Sequence, residues 1–161
     1  MVDFSFYAAS NRFVAETDES HDAKCIQEYI DVLINSLETT ECDAQSAVMK
    51  HVKKLDFSPA SLGHLDKIIS IVCNPPEEEN IQALVMAFGG YVGRVLENTF
   101  EGNWRASHNE FNESVYVTDI GFAFHPFSWT LERLKEDDLL LDKFNGIAGM
   151  AKGFGVVRKQ Q

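Results

Sequence analysis

The sequence predicts an α+β fold, in which N-terminal helices pack on a small antiparallel sheet and C-terminal helices close the molecule. Apolar residues recur at helical spacing through residues 21–101, the period changes to about two between Trp104 and Phe124, and helical spacing returns at Pro126. A chain of 161 residues with 45% hydrophobic content fits one domain. We divide it into an N-terminal arm (1–20), a helical part (21–101), a hairpin (102–125) and C-terminal helices with a tail (126–161).

The helical part begins with three predicted helices. The first follows Ser20 or Asp22, either of which can cap it, and its buried stripe is Ile26, Ile30, Leu33 and Leu37. The second runs from about Asp43 to Leu55. The third is predicted to begin at Ser58, with Pro59 in the first helical position, and to end before the Pro75–Pro76 pair. Its stripe is Leu62, Leu65, Ile68, Ile69 and Val72.

The fourth helix carries the glycines that raise a question of function. Glu77, Glu78 and Glu79 fit its first turn, where the positive end of the helix dipole favours acidic side chains. Its apolar residues cover more than half of its circumference from Ile81 to Phe100, which predicts the central helix of the fold. The order G-G-x-x-G at 89–93 lies inside this helix and lacks the preceding strand of a dinucleotide-binding loop. We therefore predict that these glycines allow close packing.

The remaining segments predict a sheet and two closing helices. Residues 102–125 alternate around the turn-like "NEFNES", which indicates a hairpin or small antiparallel sheet. A helix follows from Pro126, with Trp129 and Leu134 pointing inward, and another runs from Leu139 to about Lys152. The end, "GFGVVRKQQ", predicts a short strand or a tail. No apolar stripe exceeds what the core requires.

The chain shows none of the usual patterns of catalysis or metal binding. Its five histidines form no H-x3-H or HExxH pattern, and G-x-S-x-G is missing. The acidic runs at 77–79 and 136–138 carry no specific signal in an acidic protein. Cys25, Cys42 and Cys73 are far apart, which is typical of buried thiols in a reducing compartment. We predict no catalytic residue, metal or cofactor, and a cytoplasmic location.

The formal net charge of −11 is uneven, because residues 1–46 carry ten acids against Arg12 and Lys24. Such a surface repels nucleic acid and attracts basic proteins. The longest apolar runs are too short or too rich in glycine to span a membrane. The sequence therefore predicts a basic protein partner, and neither nucleic acid nor a membrane.

Three motifs in order indicate a family. They are "DFSPASLGHLD" at 56–66, "GGYVGR" followed by "GNW" at 89–104, and "PFSWTLERL" at 126–134. Over residues 55–135 the chain resembles a family of small, uncharacterised bacterial domains with D-[YF]-S-x-x-S-L-x-x-L-D, G-x-Y-x-G-E, G-x-W and P-F-x-W-x-x-x-R-L. Arg94 stands where the family usually has glutamate, which puts any role of that glutamate in doubt here. Some members lie beside secreted-toxin genes, so the resemblance implies an immunity protein.

Charge and resemblance together predict a non-enzymatic cytoplasmic immunity protein. It would neutralise a toxin delivered by a bacterial secretion system, such as type VI, by binding and occluding it; a basic nuclease toxin fits the charge best. The candidate contact residues are Glu28, Asp31, Glu38, Trp104, Glu110, Glu113 and Trp129. Two alternatives stay open: an enzyme with a pocket near Trp104, His108 and His125, and an accessory or regulatory domain of a bacterial assembly, which would expose a broad apolar patch.

Overall fold

The computed structural model describes residues 35, 45–73, 77–106 and 114–159. In these ranges the helices are α1 (Gln45–Val52), α2 (Ser61–Val72), α3 (Ile81–Thr99), α4 (Pro126–Glu136) and α5 (Leu140–Gly153), with a 3-10 helix at Glu78–Asn80. The strands β1 (Gly102–Ala106), β2 (Ser114–Thr118) and β3 (Ala123–Phe124) lie between α3 and α4. The predicted α+β class is confirmed, because helices precede and follow one antiparallel sheet.

The C-terminal end of α1 and the N-terminal end of α2 are both shorter than the sequence predicts. Helix α1 ends at Val52, and α2 begins at Ser61 instead of Ser58. The reason at α2 is a tight first turn, in which the N–H of Ser61 bonds to the carbonyl of Ser58, three residues earlier. Ser58 Oγ also accepts that N–H at 3.3 Å, but the residue directly before α2 is Ala60, which provides no side-chain cap. The predicted helix after Ser20 lies outside the described residues, apart from Asn35.

Helix α3 is central, as its apolar circumference predicts. Its buried side chains are those of Leu84, Met86, Ala87, Phe88, Tyr91, Val92, Val95 and Leu96. The acidic triplet precedes it as exposed side chains on the 3-10 turn, so Glu77, Glu78 and Glu79 are solvated there. Buried residues of α1, α2, the sheet, α4 and α5 join those of α3 in one hydrophobic core. The rest of the fold is therefore arranged around this helix.

The sheet is antiparallel, in the order β1-β2-β3. Trp104 pairs with Tyr116 across β1 and β2, and Tyr116 pairs with Phe124 across β2 and β3, so aromatic residues run across one face. The predicted hairpin at 102–125 is thus a three-stranded sheet in which β3 is only two residues long. The turn-like "NEFNES" falls mainly on residues outside the described ranges.

The chain end returns to the sheet and to the end of α3. The Lys159 N–H donates to the Thr99 carbonyl at 2.7 Å, and Phe100 forms an isolated antiparallel bridge with Arg158. Val156 is buried, which adds one side chain of the tail to the core. The predicted strand or tail after α5 is therefore a tail that pairs with the fold at one position.

Candidate binding surface

The structure describes two of the seven predicted contact residues. Glu28, Asp31, Glu38, Glu110 and Glu113 lie outside the described ranges. Trp104 and Trp129 are each only 5% exposed and belong to the hydrophobic core. A partner could reach neither ring without opening that core, so we remove both from the proposed contact surface and retain them as core residues.

The two tryptophans also have different neighbours instead of one shared cluster. The Trp104 ring packs edge-on against Tyr116, with ring centroids 5.5 Å apart, and donates its indole N–H to Glu97 Oε1. Trp129 packs edge-on against Phe124, with centroids 6.1 Å apart. Each ring therefore packs against a different aromatic residue of the sheet and fills its own part of the core.

Each of the family motifs contributes residues that hold the fold together. Tyr91 Oη accepts the Phe57 backbone N–H at 3.0 Å and bonds to Ser61 Oγ at 2.8 Å, which joins the first motif to the second. Asp66 of the first motif and Arg133 of the last form a buried ion pair, with Oδ1 3.0 Å from Nε. In this chain the polar groups of these motifs are therefore used inside the fold.

The Asp66–Arg133 pair also fixes the start of α5. The Asp66 carboxylate accepts the backbone N–H groups of Leu140 at 3.0 Å and Leu141 at 3.1 Å, and so caps α5 from a different helix. Arg133 additionally donates to Asp137 Oδ1 at 2.7 Å and to Ser70 Oγ at 2.8 Å. One buried network thus connects α2, α4 and α5.

Arg94 lies beside the carboxylate that accepts the indole N–H of Trp104. Its Nε is 3.3 Å from Glu97 Oε2, while Glu97 Oε1 accepts the Trp104 indole N–H. A glutamate at position 94 would place a second carboxylate next to Glu97, and like charges at this spacing repel. Arginine instead neutralises Glu97, so in this chain position 94 supports the placement of Trp104.

Two features bear on the enzyme alternative. Cys73 is buried, and burial raises the pKa of its thiol to about 12, so the nucleophilic thiolate is scarce at neutral pH. His125 is half-buried at the start of α4, and His108, the other histidine of the pocket considered above, lies outside the described residues. Among the described side chains, no group of three or more His, Cys, Asp or Glu is placed to hold a metal ion.

The connection between α4 and α5 exposes acidic and apolar side chains on a fixed backbone. Glu136, Asp137, Asp138 and Leu139, which we call the acidic junction, are all exposed, and Leu139 is 41% exposed. Asp137 adopts a left-handed conformation, with φ of 59°, and its carboxylate is held by Arg133. The carboxylate of Asp138 lies 2.7 Å from Lys143 Nζ. The junction is therefore an acidic loop whose ends are anchored in the core.

Apolar side chains are also exposed near the chain end. We call Phe122 and Phe154, whose rings are in contact, the C-terminal patch. Phe154 is 69% exposed, and its ring centroid is 6.0 Å from that of half-buried Phe122. Ile120, Met150 and Val157 are also exposed. The expectation that the core uses every apolar stripe is therefore wrong for this part of the chain.

The comparisons with known proteins give no family assignment. No family model matches the chain, and the searches of curated proteins and of solved structures find no match either. In the described part of the chain, no helix combines the length and the apolar character needed to cross a membrane.

Proposed function

We propose that this protein is a non-enzymatic binding protein, a cytoplasmic immunity protein that neutralises a toxin from a bacterial secretion system by binding and occluding it. The observation that carries the proposal is the acidic junction. It presents exposed carboxylates beside an exposed leucine, on a loop whose ends are fixed by Asp66 and Arg133. The family resemblance and the net charge of −11 support the same class of function.

The junction combines the two properties that an inhibitor of a basic protein needs. Its carboxylates attract positive charge and speed encounter, which matters when a toxin must be captured before it acts. Leu139, which follows the three acids, supplies exposed apolar area beside them. Because the backbone is already ordered, little conformational entropy is lost when the partner binds.

The general test is co-expression with the product of the neighbouring gene. We expect that product to arrest growth when expressed alone, and we expect this protein to restore growth and to co-purify with it at a fixed stoichiometry. If the neighbouring product is harmless, or if rescue occurs without a complex, the immunity function is wrong.

A charge reversal locates the contact. Glu136→Lys is expected to lower the association rate with a basic toxin by about tenfold at low salt, because steering depends on local charge. Folding should be unaffected, since Glu136 is exposed at the end of α4, where a lysine suits the helix dipole. Stopped-flow or biosensor kinetics at two salt concentrations measure this rate.

Glu78→Lys is the matched control for Glu136→Lys. It changes the net charge by the same amount at another exposed glutamate, on the 3-10 turn before α3. A contact at the acidic junction predicts a much smaller rate change for this control. Equal decreases in the two variants would mean that only total charge matters and would remove the junction from the proposal.

The C-terminal patch favours a second candidate function, a docking domain of a larger bacterial assembly. Phe154→Ser is then expected to abolish co-purification with the assembly component that the neighbouring gene encodes, and Glu136→Lys to leave it unchanged. If the protein is instead an immunity protein that binds through the acidic junction, Glu136→Lys should weaken rescue from the toxin and Phe154→Ser should leave rescue unchanged. Because Phe154 is 69% exposed, its loss should change the free energy of unfolding by less than about 0.5 kcal/mol, which denaturant unfolding verifies.

A further inference from the structure

Two histidines meet across the contact between α1 and α2. His51 Nδ1 lies 3.0 Å from His64 Nδ1, and the ring centroids are 5.3 Å apart. Both side chains are half-buried. Around them α1 is attached to the core by the buried side chains of Val48 and Val52. The histidine pair is therefore a polar contact at the edge of an apolar helix–helix interface.

The distance limits how many protons the pair can carry. Two ring nitrogens at 3.0 Å form a hydrogen bond only if one bears a proton and the other offers a lone pair. This holds when both rings are neutral, and also when one ring is an imidazolium that donates to its neutral partner. If both rings are protonated, two N–H groups face each other and the contact becomes repulsive.

The surrounding charges oppose the additional proton. Lys50 and Lys54 lie near His51 from the α1 side, and Lys67 lies near it from α2. Burial, His64 and these lysines, in that order of size, lower the pKa of His51. Asp56, in the connection between the helices, is the acidic group near His64. Positive charge thus dominates the described surroundings of the pair.

We propose that the His51–His64 contact is an acid-sensitive latch, which holds α1 on α2 while the pair carries at most one extra proton and releases α1 when both rings are charged. This inference concerns a different part of the molecule from the proposed partner surface and does not depend on it. Its consequence is local: release would weaken the packing of Val48 and Val52 on the core without requiring the rest of the fold to open.

The direction of the pH dependence follows from the lowered pKa of His51. The unfolded chain binds the proton at the ordinary histidine value, near pH 6.5, and the closed contact binds it only at lower pH. The stability of the closed contact is therefore fully present above about pH 6.5 and declines as the pH falls below it. Removing a nearby lysine should bring the pKa of His51 in the closed contact nearer to its value in the unfolded chain, so acid should open the contact less readily.

A metal ion held between the rings is the competing interpretation. The described residues offer no third ligand group for such an ion, and the nearby lysines repel a dication. The experiment below is therefore done with and without EDTA. An opening of α1 that appears only after chelation would show that a bound metal, and not proton count, closes the contact, and would overturn the proposal.

Hydrogen exchange of the α1 amides in the full chain tests the latch. Between pH 7.5 and pH 5.0, after correction for intrinsic exchange rates, we expect protection of residues 45–52 to fall by about tenfold. Protection of α3 should stay constant. In His51→Asn the side-chain amide takes the place of Nδ1 without titrating, so protection of α1 should change little with pH.

Two lysine variants test whether the His51–His64 contact responds to protonation or only contributes packing. Lys67→Met should reduce the loss of α1 protection at low pH, because it removes a cation that repels protonated His51, whereas Lys152→Met, on the exposed side of α5, should leave that loss unchanged. The proposal fails if His51→Asn loses protection with pH as the natural chain does. It also fails if the loss of protection at low pH is the same in Lys67→Met and Lys152→Met.

Discussion

Replacing Asp66 by alanine is expected to lower the free energy of unfolding by about 3–5 kcal/mol. Asp66 and Arg133 are each 4% exposed, so the substitution would leave the Arg133 guanidinium in the core with one exposed carboxylate, Asp137, to balance it. It would also leave the N–H groups of Leu140 and Leu141 without their acceptor. Urea unfolding at pH 7.5, followed by circular dichroism, measures the loss.

Asp142→Ala is the matched control, because it removes an exposed carboxylate from the first turn of α5, the turn that Asp66 caps from α2. It should cost no more than about 0.3–1 kcal/mol, the range of a helix-dipole interaction. The double variant Asp66→Leu/Arg133→Met separates the ion pair from the cap. Removing both charges together relieves most of the penalty, so only the cap, about 1 kcal/mol, should remain lost. Equal losses in Asp142→Ala and Asp66→Ala would contradict the role given to the buried carboxylate.

The helical spacing of the sequence indicates that Asp66 is buried. This indication is easily missed, because the buried stripe of α2 is otherwise apolar. Asp66 follows Leu62 by four positions and precedes Ile69 by three, so it lies on the buried face of α2. Arg133 follows Trp129 by four positions and shares the buried face of α4 in the same way. Helical spacing thus identifies two charges that need partners. It cannot pair them, because their contact depends on how helices 67 residues apart in sequence pack together.

The elements with strong periodicity were the predictable ones. The stripe from Ile81 to Phe100 specifies α3, and alternation specifies the sheet, because each pattern has one way to bury its apolar side chains. The exposed apolar side chains near the chain end have no comparable signature. Val156 and Val157 are neighbours of the same residue type, yet the first is buried and the second is 77% exposed. Which of the two valine side chains is buried depends only on how the tail lies against the core.

The contact surface was harder to predict than the core for a related reason. Exposed acids occur throughout an acidic sequence, so 136–138 resembles any other charged run. What distinguishes the acidic junction is the fixed backbone below it, which depends on the long-range Asp66–Arg133 pair and on the left-handed Asp137. Trp104 shows the opposite ambiguity, since a tryptophan suits an interface and a core equally well until its neighbours are known.

Gly93→Ala is expected to lower the free energy of unfolding by about 1–2 kcal/mol, although alanine favours a helix more than glycine does. A Cβ atom at position 93 would lie 2.5 Å from Cη2 and 2.7 Å from Cζ2 of Trp104. That ring is held by Tyr116 and by Glu97, so it cannot move away freely. Overpacking of this kind costs about 1–3 kcal/mol, and the gain in helix propensity, about 1 kcal/mol at most, offsets only part of it.

Gly89→Ala should behave similarly, because its Cβ would overlap the buried ring of Phe127. Two glycines of α5 provide the control. A Cβ at Gly146 or Gly149 meets nothing within 4 Å, so alanine there should stabilise the protein by about 0.5–1 kcal/mol. Thermal and urea unfolding should therefore show a lower free energy of unfolding for the two α3 variants and a higher one for the two α5 variants. Stabilisation by alanine at 89 and 93 as well would mean that no ring approaches those positions closely.

A double-mutant cycle with Trp104→Phe attributes the effect at Gly93 to one contact. Phenylalanine lacks the outer indole carbons that approach position 93, so Trp104→Phe alone should destabilise the protein by leaving a gap and by removing the hydrogen bond to Glu97. In that background the new methyl group fills the gap, and Gly93→Ala should become neutral or stabilising. The coupling energy should exceed about 1 kcal/mol, whereas additive effects within about 0.5 kcal/mol would show that Trp104 is not what requires a glycine in α3. The glycine pattern of this motif would then need another explanation than the close approach of an aromatic ring.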